Sequence, residues 1–342
     1  MSKVKPFSGV DDRVSLADVI PLSTPFTLGI SPSNACNFRC NYCVQSLDTE
    51  FLRDKYDFKR QVMSMDTFQE VVSQAACFPE KIKLLTFMGQ GEPLLNPSLS
   101  KMISLAKKEA FAQRIDVVTN ASLLTSERII ELIDSGLDVL RVSLQGLTSR
   151  KYKEVSGVDI DMEMFISNLA YFYEKGKGKC QLYVKILNAS LEPGEDVTFY
   201  NLFDKISDRM FIEQIKPVYD GVDYSSYNYT LDTDRRGAEH SRRAVCPQPF
   251  FTLSVWPDGS VIPCSAIHKV CCLGNVHTGH LRNMWHSIML KDFQTMQLKK
   301  KRHLHAQCGV CCAPDDCAHP EDDLDNAADT ILNWSHYAEY IS

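Results

Sequence analysis

No stretch of the 342-residue chain is long or apolar enough to cross a bilayer, and its first residues, Met1-Ser-Lys-Val-Lys-Pro-Phe, hold no signal-peptide-like apolar run. A surplus of positive charge is missing too: 37 Lys and Arg stand against 43 Asp and Glu, a formal net charge of −6. That balance excludes a general nucleic-acid or membrane-surface role, because neutralising phosphates takes an excess of cations. Internal repeats and low-complexity tracts are absent. These absences predict a cytoplasmic protein. Its 44% hydrophobic and 23% charged residues are ordinary for a globular chain long enough for one large domain or two unequal ones.

Cysteine, by contrast, is plentiful. Thirteen occur, and in a reducing compartment clustered cysteines read as metal ligands or catalytic groups rather than disulfides. Three lie near the N-terminus and eight after residue 245, while Cys77 and Cys180 stand alone. The first three fall in the run Cys36-Asn-Phe-Arg-Cys40-Asn-Tyr-Cys43. Three thiolates can hold three corners of a cubane [4Fe–4S] cluster and leave the fourth iron open, whereas electron-transfer clusters take four cysteines. An open iron can bind a further molecule, as the free position of a catalytic zinc does. The alternatives are a zinc knuckle or a set of buried core cysteines.

Hydrophobic patterning predicts strands at Phe26–Ser31, Lys83–Phe87, Ile115–Thr119, Val139–Ser143, Gln181–Leu187 and Phe211–Lys216. Helices are expected over 65–77 (N-capped by Asp66), 97–111, 125–135 and 161–175. Alternating strands and helices, with several strands read as continuous apolar runs, predict a parallel sheet covered by helices. Ligands of such sheets sit at the C-terminal strand ends. The cysteine loop follows the first strand and therefore lies at that face. Cys77 is expected in the core, and Cys180 at the far end of the barrel. Lys299–Arg302 is expected as a solvated positive turn ending a helix that begins near Lys291.

The C-x3-C-x2-C spacing with aromatic Tyr42 before the last cysteine resembles the signature of the radical S-adenosylmethionine (radical SAM) enzymes. The resemblance implies that Cys36, Cys40 and Cys43 hold a [4Fe–4S] cluster whose open iron is chelated by S-adenosylmethionine. Reduction then yields a 5′-deoxyadenosyl radical that abstracts a substrate hydrogen atom. It also implies a partial (β/α)6 TIM-like barrel over residues 26–220. The run Met88-Gly89-Gln90-Gly91-Glu92-Pro93 after the second strand matches the family's G-x-G-E-P-type motif for the methionine amine. Two glycines let backbone approach a ligand closely, and Glu92 offers a carboxylate to an ammonium group. Asn120 ends the third strand, and Ser143 and Gln145 end the fourth, where the family contacts its cofactor. Lys185 and Asn188 are expected near the cavity.

The C-terminal zone resembles the SPASM/twitch extension of the same enzymes. Cys246 and Cys264 flank a Pro257-Asp258-Gly259 hairpin turn. Leu273-Gly274-Asn275-Val276, Trp285 and Cys308-Gly-Val-Cys311-Cys312-Ala-Pro-Asp-Asp-Cys317 follow. The full SPASM pattern continues with further cysteines beyond Cys317, and here none follows. The resemblance therefore implies one auxiliary [4Fe–4S] cluster, held by Cys246, Cys264, Cys308 and Cys311 with Cys317 as an alternative ligand. Cys271, Cys272 and Cys312 are rival ligands, and tetrahedral zinc is the alternative metal.

The expected organisation is an N-terminal segment (1–25), a barrel (26–220), a linker or active-site loop (221–245), a cluster domain (246–320) and a tail (321–342). Three functions fit. One is a radical oxidoreductase or epimerase acting on a small polar substrate such as a sugar, aminocyclitol or nucleoside. Another is a peptide- or protein-modifying enzyme. The third is an iron–sulfur electron carrier, which needs neither an open iron nor the Glu92 motif. A small molecule is favoured because fewer than 30 residues precede the barrel, too few for a leader-peptide-binding domain. Oxidation is favoured over epimerisation, with the auxiliary cluster accepting the second electron and flavodoxin or ferredoxin as the reducing partner.

Overall fold

In the computed structural model the described residues are 2–6, 13–239, 242–267, 269–317 (the backbone alone at 317), 319–334, 337 and 340. The strands are β1 (Lys3–Val4), β2 (Thr27–Ile30), β3 (Ile82–Phe87), β4 (Ala112–Thr119), β5 (Val139–Leu144), β6 (Gln181–Leu187), β7 (Arg209–Glu213), β8 (Thr252–Val255), β9 (Ser260–Ile262) and β10 (Gly274–Asn275). They form one sheet in the order β1-β7-β6-β5-β4-β3-β2-β8-β9-β10, parallel from β1 through β8. The fold is the expected α/β type with a TIM-like partial barrel.

Strand register explains why an apolar-looking sheet encloses a polar space. Successive side chains point to opposite faces. Leu85, Val117, Leu140, Val142, Val184 and Ile186 are buried among the core residues. The alternate positions carry Thr86, Asp116, Arg141, Ser143, Lys185 and Glu213, and Thr86 pairs in register with Asp116. The expected continuous apolar strands are in fact two-faced, with their polar set turned inward.

Helices Met65–Ala75, Leu99–Glu109, Ser126–Asp134 and Met162–Gly176 match expectation closely. Three others, Thr49–Tyr56, Ser149–Ser156 and Glu195–Phe203, were not anticipated. Asp66 is not the cap of its helix. Ser64 occupies that place in extended backbone, its hydroxyl accepting from the Thr67 N–H at 3.0 Å. Cys77 is exposed rather than in the core, because the helix ends at Ala75 and the buried face passes to Phe78. Cys180, as expected, is buried just before β6. The helix expected from Lys291 begins at Ile288 and ends at Leu298. Lys299–Lys301 are exposed, but Arg302 is buried, contrary to the solvated turn expected there.

The Pro-Asp-Gly turn is a hairpin. β8 and β9 pair antiparallel, Ser254 opposite Ile262, and Gly259 takes φ 82°, which glycine adopts without penalty. This hairpin docks on the barrel itself: Gly29 of β2 pairs with Ser254 of β8. A Cβ at Gly29 would lie 2.9 Å from the Ser254 hydroxyl, so the strands meet where the side chain is missing.

Candidate active site and auxiliary centre

The loop after β2 brings Cys36, Cys40 and Cys43 together. Burial pushes the Cys36 thiol up to about 11 and also raises Cys40 and Cys43. Cys36 and Cys43 each raise Cys40 further, so the three sulfurs feel one another electrostatically. Among the described residues, no three Cys, His, Asp or Glu side chains are gathered as a single ion would require. A cubane takes three such thiolates one to an iron corner.

Backbone packing fixes the loop. A Cβ at Gly91 would lie 2.4 Å from the carbonyl oxygens of both Ser33 and Ala35, so only glycine fits. The Gln45 amide donates to the carbonyls of Asn34 (2.9 Å) and Gln90, clamping the cysteine loop to the glycine motif. Sequence reading missed Gln45, which has no motif signal of its own.

Glu92 is 2% exposed. Its Oε1 accepts from the Leu94 N–H (2.9 Å) and the Thr119 hydroxyl, and its Oε2 from the Asn120 N–H (2.8 Å). Burial raises its pKa, against the pull of these donors. Oε2 thus keeps capacity for one more donor. Asn120 stands beside the cluster loop, its Nδ2 3.0 Å from Asn37 Oδ1 and 4.0 Å from Cys36 Sγ. Asn188 instead ties β6 to the segment after β7, accepting from the Ile215 N–H at 2.8 Å.

Two cavities adjoin the site. One, of about 220 Å³, is lined by Tyr42, Cys43, Ser143, Gln145, Lys185 and Lys216 among others. The other, of about 380 Å³, runs inside the barrel past Thr86, Gly89, Gln90 and Arg141. Glu213, Tyr219 and Arg235 line both. Lys185 Nζ lies 2.7 Å from Glu213, and Arg235 holds Asp316 through two bonds of 2.9 and 2.6 Å. Three cations, Lys185, Arg235 and Arg141, hold the Glu213 carboxyl below its usual range despite burial. Burial lowers Lys185, with Arg235 and Arg141 adding to it. Arg235 was missed because its segment has no periodicity. That segment also docks on the loop, with the Tyr224 hydroxyl donating to the Tyr42 carbonyl at 2.9 Å.

Cys246, Cys264, Cys308 and Cys311 line one small apolar cavity. Burial pushes Cys264 up to about 12 and Cys308 to about 11, and Cys311 raises Cys246, Cys264 and Cys308 further. Four cysteines lining one small apolar pocket are a donor set that fits a cluster taking them as thiolates. Cys271 borders this set, influencing Cys264. Cys312 is buried against the Pro217 carbonyl. The Cys317 side chain lies outside the described residues.

A model of the radical SAM superfamily matches residues 30–198, and an iron–sulfur cluster-binding domain of the SPASM type matches 246–312. The chain belongs to the radical SAM superfamily and carries a SPASM domain. It is a radical SAM enzyme, with a [4Fe–4S] cluster that works with S-adenosylmethionine and with auxiliary iron–sulfur binding. It is 24% identical over 324 residues (83% of this chain, 86% of the other) to a tungsten-containing aldehyde ferredoxin oxidoreductase cofactor-modifying protein of Pyrococcus furiosus. A probable GTP 3′,8-cyclase of Methanococcus vannielii is 35% identical over 138 residues, 40% of this chain and 41% of the cyclase. Against such cyclases the chain thus spans well under half their length. In fold it is similar to Streptococcus suis SuiB bound to the precursor peptide SuiA (TM-score 0.63, 18% identity, 88% of this chain and 73% of that one). BtrN in complex with AdoMet and 2-DOIA is another such likeness (TM-score 0.54, 17% identity, 84% and 92%). Among the described residues, no helix is long and apolar enough to cross a membrane.

Proposed function

We propose that this enzyme oxidises a small polar molecule, such as a sugar, aminocyclitol or nucleoside, in the cytoplasm. One observation carries the reading. Cys311 lines both the auxiliary thiol pocket and the barrel cavity, so the auxiliary centre borders the space open to substrate. A volume of about 380 Å³ falls in the range of small-molecule sites. Its walls carry paired charges of both signs, which suit hydroxyl and amino groups.

In this reading Cys36, Cys40 and Cys43 hold the cluster that supplies radical chemistry. Tyr42, Gly89, Gly91, Glu92, Asn120, Ser143 and Gln145 shape the cofactor site, Gly91 and Glu92 by fixing the loop. Cys246, Cys264, Cys308 and Cys311 hold one auxiliary [4Fe–4S] cluster. Oxidation removes two electrons and two protons from substrate; S-adenosylmethionine, when bound, would supply the acceptor for a hydrogen atom and the auxiliary centre the acceptor for the remaining electron, with the second proton passing to a base. Flavodoxin or ferredoxin supplies and removes electrons. Lys185, ion-paired with Glu213 at 2.7 Å in the cavity wall, is placed to donate a hydrogen bond to a substrate hydroxyl and orient it. Lys185→Met is expected to weaken substrate binding by removing that donor and leaving the Glu213 carboxylate without it, at about 1–3 kcal/mol, while S-adenosylmethionine binding by calorimetry stays unchanged.

Turnover in D2O tests oxidation directly. No solvent deuterium is expected at the reacting carbon. Deuterium found there, and lost when Cys271, Cys272, Cys312 or Cys317 becomes alanine, would convert the reading to epimerisation and name the hydrogen donor. Oxidation of a peptide rather than a small molecule would overturn the substrate class alone.

A further inference from the structure

Arg302 is 8% exposed, in the short turn that follows helix Ile288–Leu298. Its Nη1 donates to the Arg243 carbonyl (3.2 Å), and its Nη2 to the carbonyls of Cys308 (2.7 Å) and Cys311 (2.5 Å). Its Nε is buried with no hydrogen-bond partner. Among the described residues, no carboxylate lies within ion-pair distance of it. A buried cation without a counter-ion is costly unless it faces negative charge. The guanidinium lines the same pocket as the four auxiliary cysteines and favours the thiolates of Cys246, Cys308 and Cys311. Asp315 and Asp316 act on Cys311 in the opposite sense, yet both are engaged elsewhere. Arg235 holds Asp316, and Asp315 accepts from the Arg243 N–H at 2.8 Å.

We propose that Arg302 is a positioning residue that sets the reduction potential of the auxiliary centre. A cluster ligated by four thiolates is anionic and gains one further negative charge on reduction. Its potential follows net charge, hydrogen bonding and solvent exposure. A fixed cation in an apolar pocket stabilises the more negative state and raises the potential, so that the centre can accept an electron. The forked carbonyl bonds hold the charge on the ligand loop and keep it from turning to solvent. This inference rests on the reading of the auxiliary centre as electron acceptor.

The test uses the full chain, reconstituted anaerobically, with Cys36, Cys40 and Cys43 changed to Ala so that only the auxiliary centre is seen. An EPR-monitored redox titration reads its midpoint potential. Arg302→Gln is expected to lower that potential, and Arg302→Lys, which keeps the charge and loses the fork, to return it close to the parent value. If the Gln variant fails to load iron, the Lys variant decides alone: loading with a near-parent potential supports the proposal. A Lys variant that also fails to load, or a loaded Gln variant with unchanged potential, overturns it and leaves Arg302 a structural brace. A parallel measurement keeps the underlying reading separate. If Arg302 shifts the potential but the active enzyme yields no oxidised product, the acceptor reading fails while the assignment of Arg302 stands.

Discussion

Changing Cys36, Cys40 and Cys43 together to alanine is expected to remove about four of about eight irons per chain, each cubane carrying four, and to abolish release of 5′-deoxyadenosine. The physical basis is that the three raised thiols lie within one another's fields in a single loop, so they load as a unit. Changing Cys246 and Cys264 should remove the other half, yet leave reductive cleavage of S-adenosylmethionine running without oxidised product. Iron analysis and chromatography of the deoxyadenosine check both arms. A wild-type protein holding about four irons and one zinc would refute the auxiliary cluster while sparing the radical one. Deoxyadenosine formed at the normal rate by the triple alanine variant would refute the radical centre itself.

Glu92→Ala is expected to be the most damaging single change near the cofactor. It strands the Leu94 and Asn120 N–H groups and the Thr119 hydroxyl, at about 1–3 kcal/mol for each buried group left unpaired. A loss of roughly 3 kcal/mol or more follows, with weaker S-adenosylmethionine binding because the strand ends it joins come apart. Glu92→Gln keeps two acceptor contacts and sets an amide N–H against a donor, costing about 1–3 kcal/mol. Its pH dependence has a definite sign. Burial raises the folded pKa of Glu92 above the unfolded value, so its contribution is fully present below the unfolded pKa and fades as pH rises through the folded one. Glutamine does not titrate, so the deficit of the Gln variant should be largest in acid and narrow toward neutral pH. Denaturant melts over that range test the trend, and a deficit that widens with pH would contradict it.

Much of the barrel was legible because local patterns and tertiary packing agree. β6 runs over the expected residues, and the cysteine loop falls after the expected strand. What escaped depended on contacts between distant segments. Gln45 and Arg235 work through bonds to Gln90 and Asp316, and no spacing along the chain announces either. Arg302 was misread because a basic run predicts a wet helix end, whereas the carbonyls of Cys308 and Cys311 draw its guanidinium inward. Asp66 and Ser64 are both plausible caps by composition, and only backbone geometry separates them. The polar barrel lining was present in Thr86, Asp116, Arg141 and Lys185, but their neighbours gave each strand an apolar average.

The pairing of β2 with β8 also bears on how the protein is made. Residues Thr27 and Thr252 are register partners, so the strand leading into the radical centre waits for more than two hundred further residues before its second edge is covered. Contacts of such long sequence separation form late and slow folding. Until then an unpaired edge carrying Leu28 and Ile30 stands open to other chains. The nascent polypeptide thus passes through a stage in which the cysteine loop is synthesised but its strand is half-supported. A loop reached before that edge closes is still free to rearrange.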